Sequence, residues 1–417
     1  MTTNQNDIII IGGGIIGLAC AHYLMEQGAS VTIIEDRHVG SGASHGNCGL
    51  LFFSDVITLC APGVVSTEII RNLRGTSPLY IKPELEMERL TFLLRFALNC
   101  RQGHLNRAAK NKYSLLSYSN RLFSQLFDDG ALGCDYEDKG VLTVYLSQKA
   151  FEKFHHANAF NKQFGLGYKK LSRTEALDFE PALSPAIAGA WLSEHDRHVR
   201  PERLVSALKN DLLRRGLTVK EMCRATGFSC KHGKIRGIHT NQGTFFSNAF
   251  VLAAGAFSPE IVKMLDLSLP VQPGKGYSIT MGRPEVCPAV PCMLHERNMV
   301  VTPWKSGYRL GGTMEFSGFS TALNRSRLNK LIQGAAEYMQ TPMGRPLVEE
   351  WTGLRPMTYD DMPVIGKMSK FSNLVVATGH GMLGLTFATG TGKLVSDLIL
   401  ENQPEIDPAP FSPERFK

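Results

Sequence analysis

Apolar positions along this chain fall into two textures. Short runs closed by glycine form the first: Ile8–Ile11 before Gly12, Val31–Ile34 between Gly28 and Glu35, Val251–Ala254 before Gly255, and LVVAT (374–378) before Gly379. Runs this short, bounded by glycine, predict strands of a parallel sheet covered on both faces. Helical patterns follow two of them, in LACAHYLMEQ (18–27) and from about Phe387 to Glu401. The second texture lies between. Residues 84–128 and 149–163 have helical periodicity, whereas 139–146, 271–280 and 293–316 alternate as strands of an antiparallel sheet do. The expected organisation is α/β, with one domain built from 1–82, 190–265 and 350–417. A second, α+β domain from 83–189 and 266–349 interleaves with it. The proline-rich end, PEIDPAPFSPERFK, is expected to be a surface tail.

The first strand runs into Gly12-x-Gly14-x-x-Gly17 and a helix, and the second strand ends in Glu35-Asp36. This is the dinucleotide-binding fingerprint. Gly12 permits the tight turn, Gly14 lets a pyrophosphate approach the backbone, and Gly17 lets helix and sheet pack closely. Ile15 and Ile16 would offer N–H groups of the helix N-terminus to the phosphates, and Glu35 would accept hydrogen bonds from a ribose.

Composition narrows the picture further. The 417 residues are 43% hydrophobic, enough for two domains, and carry 45 basic against 38 acidic side chains. A net charge of +7 without zinc-finger spacing, an RNA-binding aromatic motif or a long basic run argues against nucleic acid. The basic excess is local: Arg71, Arg74, Lys82, Arg89, Arg95, Arg101, Arg107, Lys110, Lys112 and Arg121 stand against three glutamates. That segment is read as an ordinary solvated helix face, with peripheral contact to anionic lipid as the sharper alternative. Nine cysteines without a CxxC pair favour a reducing, cytoplasmic setting. The start, MTTNQND, does not read as a secretory signal, and the glycine pattern argues against a membrane anchor over Ile8–Met25. His195-Asp196-Arg197-His198 looks like a ligand cluster, but no further ligand converges on it. It is read as a loop, and no metal is expected.

The block from Trp351 to Gly366 (WTGLRPMTYDDMPVIG), then Ala377 to Thr386 (ATGHGMLGLT), resembles the C-terminal signature of the FAD-dependent D-amino-acid oxidase superfamily. Lys275–Thr280 (KGYSIT) and Trp351–Thr358 are most similar to its bacterial D-amino-acid dehydrogenase branch, and the resemblance runs from about residue 7 to 401. It implies a Rossmann-like FAD-binding domain interleaved with a substrate domain, and noncovalent FAD. The fingerprint would hold the ADP half, with Ala225, Ala253, Ala254 and Gly255 beside it. Ser41, Gly42, Ala43, Ser44, His45, Asn47, Gly49 and Leu50 would run under the ribityl chain and ring. Cys48 stands where alanine is more usual and is read as a packing residue. His380, Gly381, Met382, Leu383, Gly384, Leu385 and Thr386 would face the flavin pyrimidine edge from a helix N-terminus.

By the same resemblance Arg355, in Gly-Leu-Arg-Pro, would grip the substrate carboxylate bidentately at the edge of the cofactor. Tyr277 would offer a hydroxyl, and Asn298 and Val300 would line the pocket. The implied reaction is oxidative deamination of free D-amino acids to 2-oxo acids and ammonia, by hydride transfer from Cα to flavin N5. Electrons would pass to a quinone or another acceptor that is not O₂, on the inner face of the cell membrane. The alternatives are a D-proline or hydroxyproline dehydrogenase and an O₂-using glycine or sarcosine oxidase.

Overall fold

A computed structural model describes residues 7–67, 79–81, 86–128 and 132–417. Ile8 to Ile11 form β1 (Asp7–Ile11), inside a six-stranded sheet. Their branched side chains alternate between two cores. Ile8 and Ile10 face one, with helix α1 (Ile15–Glu26), while Ile9 and Ile11 face the other. β2 (Ser30–Ile34) and Ala249–Leu252 flank β1 in parallel, and Thr218–Lys220 pairs beyond β2. Phe371–Thr378 pairs parallel to Ala249–Leu252, and only Val364–Met368 at the edge runs antiparallel. All four glycine-closed runs therefore meet side by side in one buried sheet.

Two glycines are dictated by contact. Gly12 has φ +109°, and a Cβ there would stand 2.5 Å from the Ala253 carbonyl oxygen. A Cβ on Gly17 would stand 2.0 Å from the Gly12 carbonyl oxygen. No side chain fits either place, so the turn and the helix start are tied to glycine.

The second sheet has nine strands. Val271–Met281 lies between Leu347–Thr358 and Gly307–Phe316, antiparallel to both. Val141–Tyr145 and Val271–Met281 do not show the alternation expected of them, since nearly every residue is buried. The helix Arg325–Tyr338 packs Leu328, Leu331, Ala335 and Tyr338 into the core of this sheet. Helical periodicity over 84–128 resolves into Met87–Asn99 and Gln102–Asp128, and that over 149–163 into Gln148–Lys162.

The expected domain spans and the sheets do not coincide everywhere. Gly189–Ser193 and Leu347–Thr358 straddle those boundaries but belong to the nine-stranded sheet. Gln102–Asp128 lies in a substrate-domain span, yet packs Ala108, Leu115, Leu116 and Phe123 into the core of α1 and Ala388–Ile399. The C-terminal stretch is not a free tail. Phe411 is fully buried, and the Arg415 guanidinium donates to Asp360 Oδ2 at 2.8 Å and to the Met362 carbonyl at 2.9 Å. His198 and Arg197 form a short strand paired with β3 (Leu50–Leu51) rather than a loop.

Candidate active site

The C-terminal ends of β1 and β2, the loop 40–50, and the nine-stranded sheet enclose one continuous cavity of about 1440 Å³. That exceeds the ~300–1000 Å³ of an ordinary small-molecule pocket. It runs from Glu35, Asp36 and Ala225 past Gly12, Gly14, Ile15 and Ile16 to Arg355 and His380. A dinucleotide lying end to end with a small substrate needs such a shape, and the glycine cradle at Gly12 and Gly17 leaves the backbone room for a pyrophosphate. The residues present fit FAD.

At the mouth of α1, Ile15 N donates to Ser44 Oγ at 3.0 Å. Glu35 Oε2 accepts from Gly13 N at 2.7 Å and Oε1 from Arg37 N at 2.9 Å, which fixes the carboxylate at the end of β2. Asp36 is held by Arg224 Nε at 2.7 Å. Ala253, Ala254 and Gly255 line the same stretch, where the Gly255 carbonyl accepts from Thr378 Oγ1 at 2.8 Å.

The loop 41–50 is clamped from the second sheet. Buried Arg309 donates from Nη1 to the carbonyls of Asn47 and His45, at 2.7 and 3.1 Å, while its Nη2 pairs with Glu202 at 3.2 Å. Thr302 Oγ1 donates to the Cys48 carbonyl at 2.7 Å. Ser41, Gly42, Ala43, Ser44, Asn47, Cys48 and Leu50 line the cavity, whereas Gly49 and His45 do not. His45 is drawn away because its Nε2 lies 3.0 Å from the Glu349 carboxylate. A Cβ on Gly311 would meet Cys48 Sγ at 2.3 Å, so the thiol occupies a fitted slot, and burial holds it protonated by raising its pKa against the pull of Arg355 and Arg309.

Arg355 sits on Leu347–Thr358 opposite Gly274. Its guanidinium lies over Gly276, where a Cβ would come within 2.2 Å of Nη1. The facing strand bulges there: Lys275 pairs with Glu315 and Tyr277 with Gly312, so Thr313 and Met314 together oppose Gly276. Thr313 takes φ +69°, and its carbonyl oxygen accepts from Arg355 Nη1 at 2.9 Å. Among the described residues no carboxylate lies within 4.0 Å of Arg355, so no ion pair within the sheet holds it. Burial depresses its pKa, and Cys48 only partly opposes this. A half-buried guanidinium with one neutral partner, lining a cavity, has the chemistry to receive an anion.

Other expected residues are placed less directly. Tyr277 lines the cavity, but its hydroxyl donates to Glu315 Oε2 at 3.2 Å and its ring packs in the core. Asn298 also lines it, in a left-handed conformation (φ +45°) that ends the turn His295–Arg297. Val300 lies beside it. His380, Gly381, Met382, Leu383, Gly384 and Leu385 line the cavity, and Gly381 N donates to the Pro356 carbonyl at 2.9 Å, tying this loop to the Arg355 strand. His380 is neutral at pH 7: burial lowers its pKa to about 3, and its Nε2 lies 3.0 Å from Thr391 Oγ1. Thr386 is outside the cavity, where its Oγ1 accepts from Phe52 N at 3.0 Å.

Asp55, Phe92, Leu93, Phe96, Met293 and Thr313 also line the cavity, outside the expected site residues. The helical period of LTFLLRFAL was a signal for the aromatic wall. Nothing local marks the others. His195–His198 gathers no metal set among the described residues. Asp196 instead accepts from Ser54 N and Ser54 Oγ at 2.9 and 2.5 Å, and burial raises its pKa to about 7.

A family model described as FAD dependent oxidoreductase (DAO) matches residues 7–398. The chain is 29% identical over 420 residues to a D-amino acid dehydrogenase of Granulibacter bethesdensis, covering 98% of this chain and 99% of the relative. It is 30% identical over 417 residues to a D-amino acid dehydrogenase of Allorhizobium ampelinum, covering 98% of each. Among solved structures it superposes on glycine oxidase from Geobacillus kaustophilus with a TM-score of 0.76, 24% identity and 97% of each chain covered.

Proposed function

The chain belongs to the DAO family of FAD-dependent oxidoreductases, and from that premise we propose that it oxidises free D-amino acids to 2-oxo acids and ammonia. The observation that carries this reading is the Arg355 guanidinium, aimed into the cofactor cavity without an acidic partner among the described residues. A substrate carboxylate would complete its fork and so fix the orientation of Cα. FAD, when bound noncovalently, supplies the acceptor for the hydrogen and electron pair that leave Cα.

The remaining roles belong to the chain itself. Gly12, Gly14, Ile15, Ile16 and Glu35 would hold the ADP half, and Ser41 to Leu50 the middle of the cofactor. The loop Gly381–Leu385 would turn backbone N–H groups toward the ring, without help from a charged His380. Met293, Val300, Met314, Phe316 and Leu354 give an apolar wall suited to a side chain larger than glycine's. Tyr277 and Asn298 would shape the pocket around the substrate. The likeness to the D-amino acid dehydrogenases of G. bethesdensis and A. ampelinum supports the choice of substrate.

We further propose a quinone as acceptor, met at the inner face of the cell membrane. No described helix is long and apolar enough to cross a membrane, so contact would be peripheral. Of the basic segment, Arg71, Arg74 and Lys82 lie outside the described residues, and Arg89 and Lys112 are buried. The support lies in Met87–Asn99 instead. Its outer face exposes Met87, Leu94 and Leu98 (74, 62 and 61%), while Phe92, Leu93 and Phe96 line the cavity.

The test is anaerobic mixing of the purified protein with D- and L-amino acids, glycine, sarcosine and hydroxyproline epimers while following the flavin band. Bleaching by D-enantiomers, and recovery with a short-chain quinone but not with air, is the expected result. Bleaching by sarcosine or glycine with recovery in air would replace the reading with an oxidase. No bleaching at all would refute it.

A further inference from the structure

The charged groups that line the cavity are not confined to Arg355 and the Glu35–Asp36 end. Asp55 lies in the loop after β3 and lines the cavity that also holds Arg355. The backbone on either side is pinned. Phe52 N donates to Thr386 Oγ1 at 3.0 Å, Ser54 N and Oγ donate to Asp196, and Leu59 N donates to Asp361 Oδ2 at 2.8 Å. Among the described residues no group hydrogen-bonds or ion-pairs with the Asp55 carboxyl itself. A fixed loop thus presents an uncompleted carboxylate to the site.

Behind it is a small second cavity, lined by Asp55, Leu59, Lys112, Asp361, His380, Met382, Leu383 and Phe387. Lys112, from the helix Gln102–Asp128, is 2% exposed and lies 3.4 Å from Asp361 Oδ2 and from the Ile57 carbonyl. His380 is neutral, and Asp196 and Tyr168 stand beyond Ser54. Two carboxylates and one ammonium make a group of net charge −1. Asp361 and Lys112 already balance one another, so Asp55 is the member left over, and adding one proton brings the group to neutrality.

An α-amino acid reaches the enzyme with a carboxylate and an ammonium. The nitrogen lone pair must be free before hydrogen can leave Cα, so the ammonium must lose a proton inside the site. We propose that Asp55 receives the substrate ammonium and takes that proton, a role that rests on the reading of Arg355 as the carboxylate socket. An O–H bond forms on Asp55 as one N–H bond breaks, and the electron pair of that bond stays on nitrogen. A neutral amine and a neutral carboxyl result, with no change in oxidation state. Burial raises the pKa of the Asp55 carboxyl, Lys112 opposes this and Asp361 adds to it, which narrows the gap to the ammonium.

The test uses two ligands on the holoenzyme that differ only by the ammonium. 2-Aminoisobutyrate has a carboxylate and an ammonium but no Cα hydrogen, so it binds without reacting; isobutyrate has the carboxylate alone. Dissociation constants are measured by calorimetry. Asp55→Asn is expected to weaken 2-aminoisobutyrate at least tenfold while leaving isobutyrate within twofold, and Asp55→Glu to restore much of the difference. Equal loss of both ligands, or of neither, overturns the role of Asp55. A failure of isobutyrate to weaken in Arg355→Met overturns the carboxylate reading instead, and this one with it.

Discussion

Replacing Arg355 by methionine keeps most of the side-chain volume and removes the fork. Two charge-assisted hydrogen bonds to a substrate carboxylate are worth roughly 1.5–3 kcal/mol each, about 3–6 kcal/mol together. That corresponds to a fall in kcat/KM of about 10²–10⁴. The structure adds a second cost, because the Thr313 carbonyl at the bulge loses its 2.9 Å donor, at about 1–3 kcal/mol of stability. Arg355→Lys separates the two. A lysine ammonium can meet either Thr313 or the carboxylate as a point charge but cannot make both arms of the fork, so it should fall between wild type and methionine. The assay is kcat/KM for a D-amino acid with an excess of an artificial dye acceptor, with thermal unfolding alongside. An amine of similar size that lacks a carboxylate is the control, and its slow turnover should be insensitive to the change. If Arg355→Met lowers kcat/KM by less than threefold while the protein stays folded, the carboxylate socket is wrong.

Gly17→Ala would put a methyl 2.0 Å from the Gly12 carbonyl oxygen, so α1 must shift away from the cradle, and the purified protein should retain less than about a tenth of its flavin, as read from its absorbance. Lys112→Met removes a buried cation that pairs with Asp361 and acts through space on Asp55, and should cost about 3–5 kcal/mol in denaturant unfolding, with Asp55→Asn in the same chain recovering part of the loss. His380 gives a pH signature. Its folded pKa of about 3 lies below the 6.5 of the unfolded chain, so its contribution is complete above pH 6.5 and is lost as pH falls toward 3. His380→Gln should therefore flatten the fall in stability between pH 6.5 and 5 by about 1.1 kcal/mol per pH unit relative to wild type. An unchanged slope would mean that the ring titrates freely.

What could be read from the sequence was what obeys local rules. Glycine-closed apolar runs predicted four strands, and all four meet in one sheet, because a buried parallel strand needs both faces apolar and a glycine where the backbone turns close. Arg355 could be singled out because Gly-Leu-Arg-Pro is a contiguous motif. His45 and Thr386 sit in equally good motifs, yet their side chains turn away, His45 to Glu349 and Thr386 to the backbone of Phe52. A motif fixes where the backbone passes. Which way a side chain points depends on partners hundreds of residues distant. The basic segment shows the same limit: Lys112 reads as one more cation on a solvated helix, and only the packing of Gln102–Asp128 against the cofactor-side core turns it inward toward Asp361. Asp55, in FFSDV, has no periodicity, no motif and no local partner. Its role is defined by what remote segments bring to it: Ser54's acceptor Asp196, the pair Lys112–Asp361, and a cavity that Arg355 also lines. Among the described residues neither the Asp55 carboxyl nor the Arg355 guanidinium has an ion-pair partner, so each carries a desolvation penalty that these residues leave in place. A ligand carrying both opposite charges, as an α-amino acid does, relieves the two together.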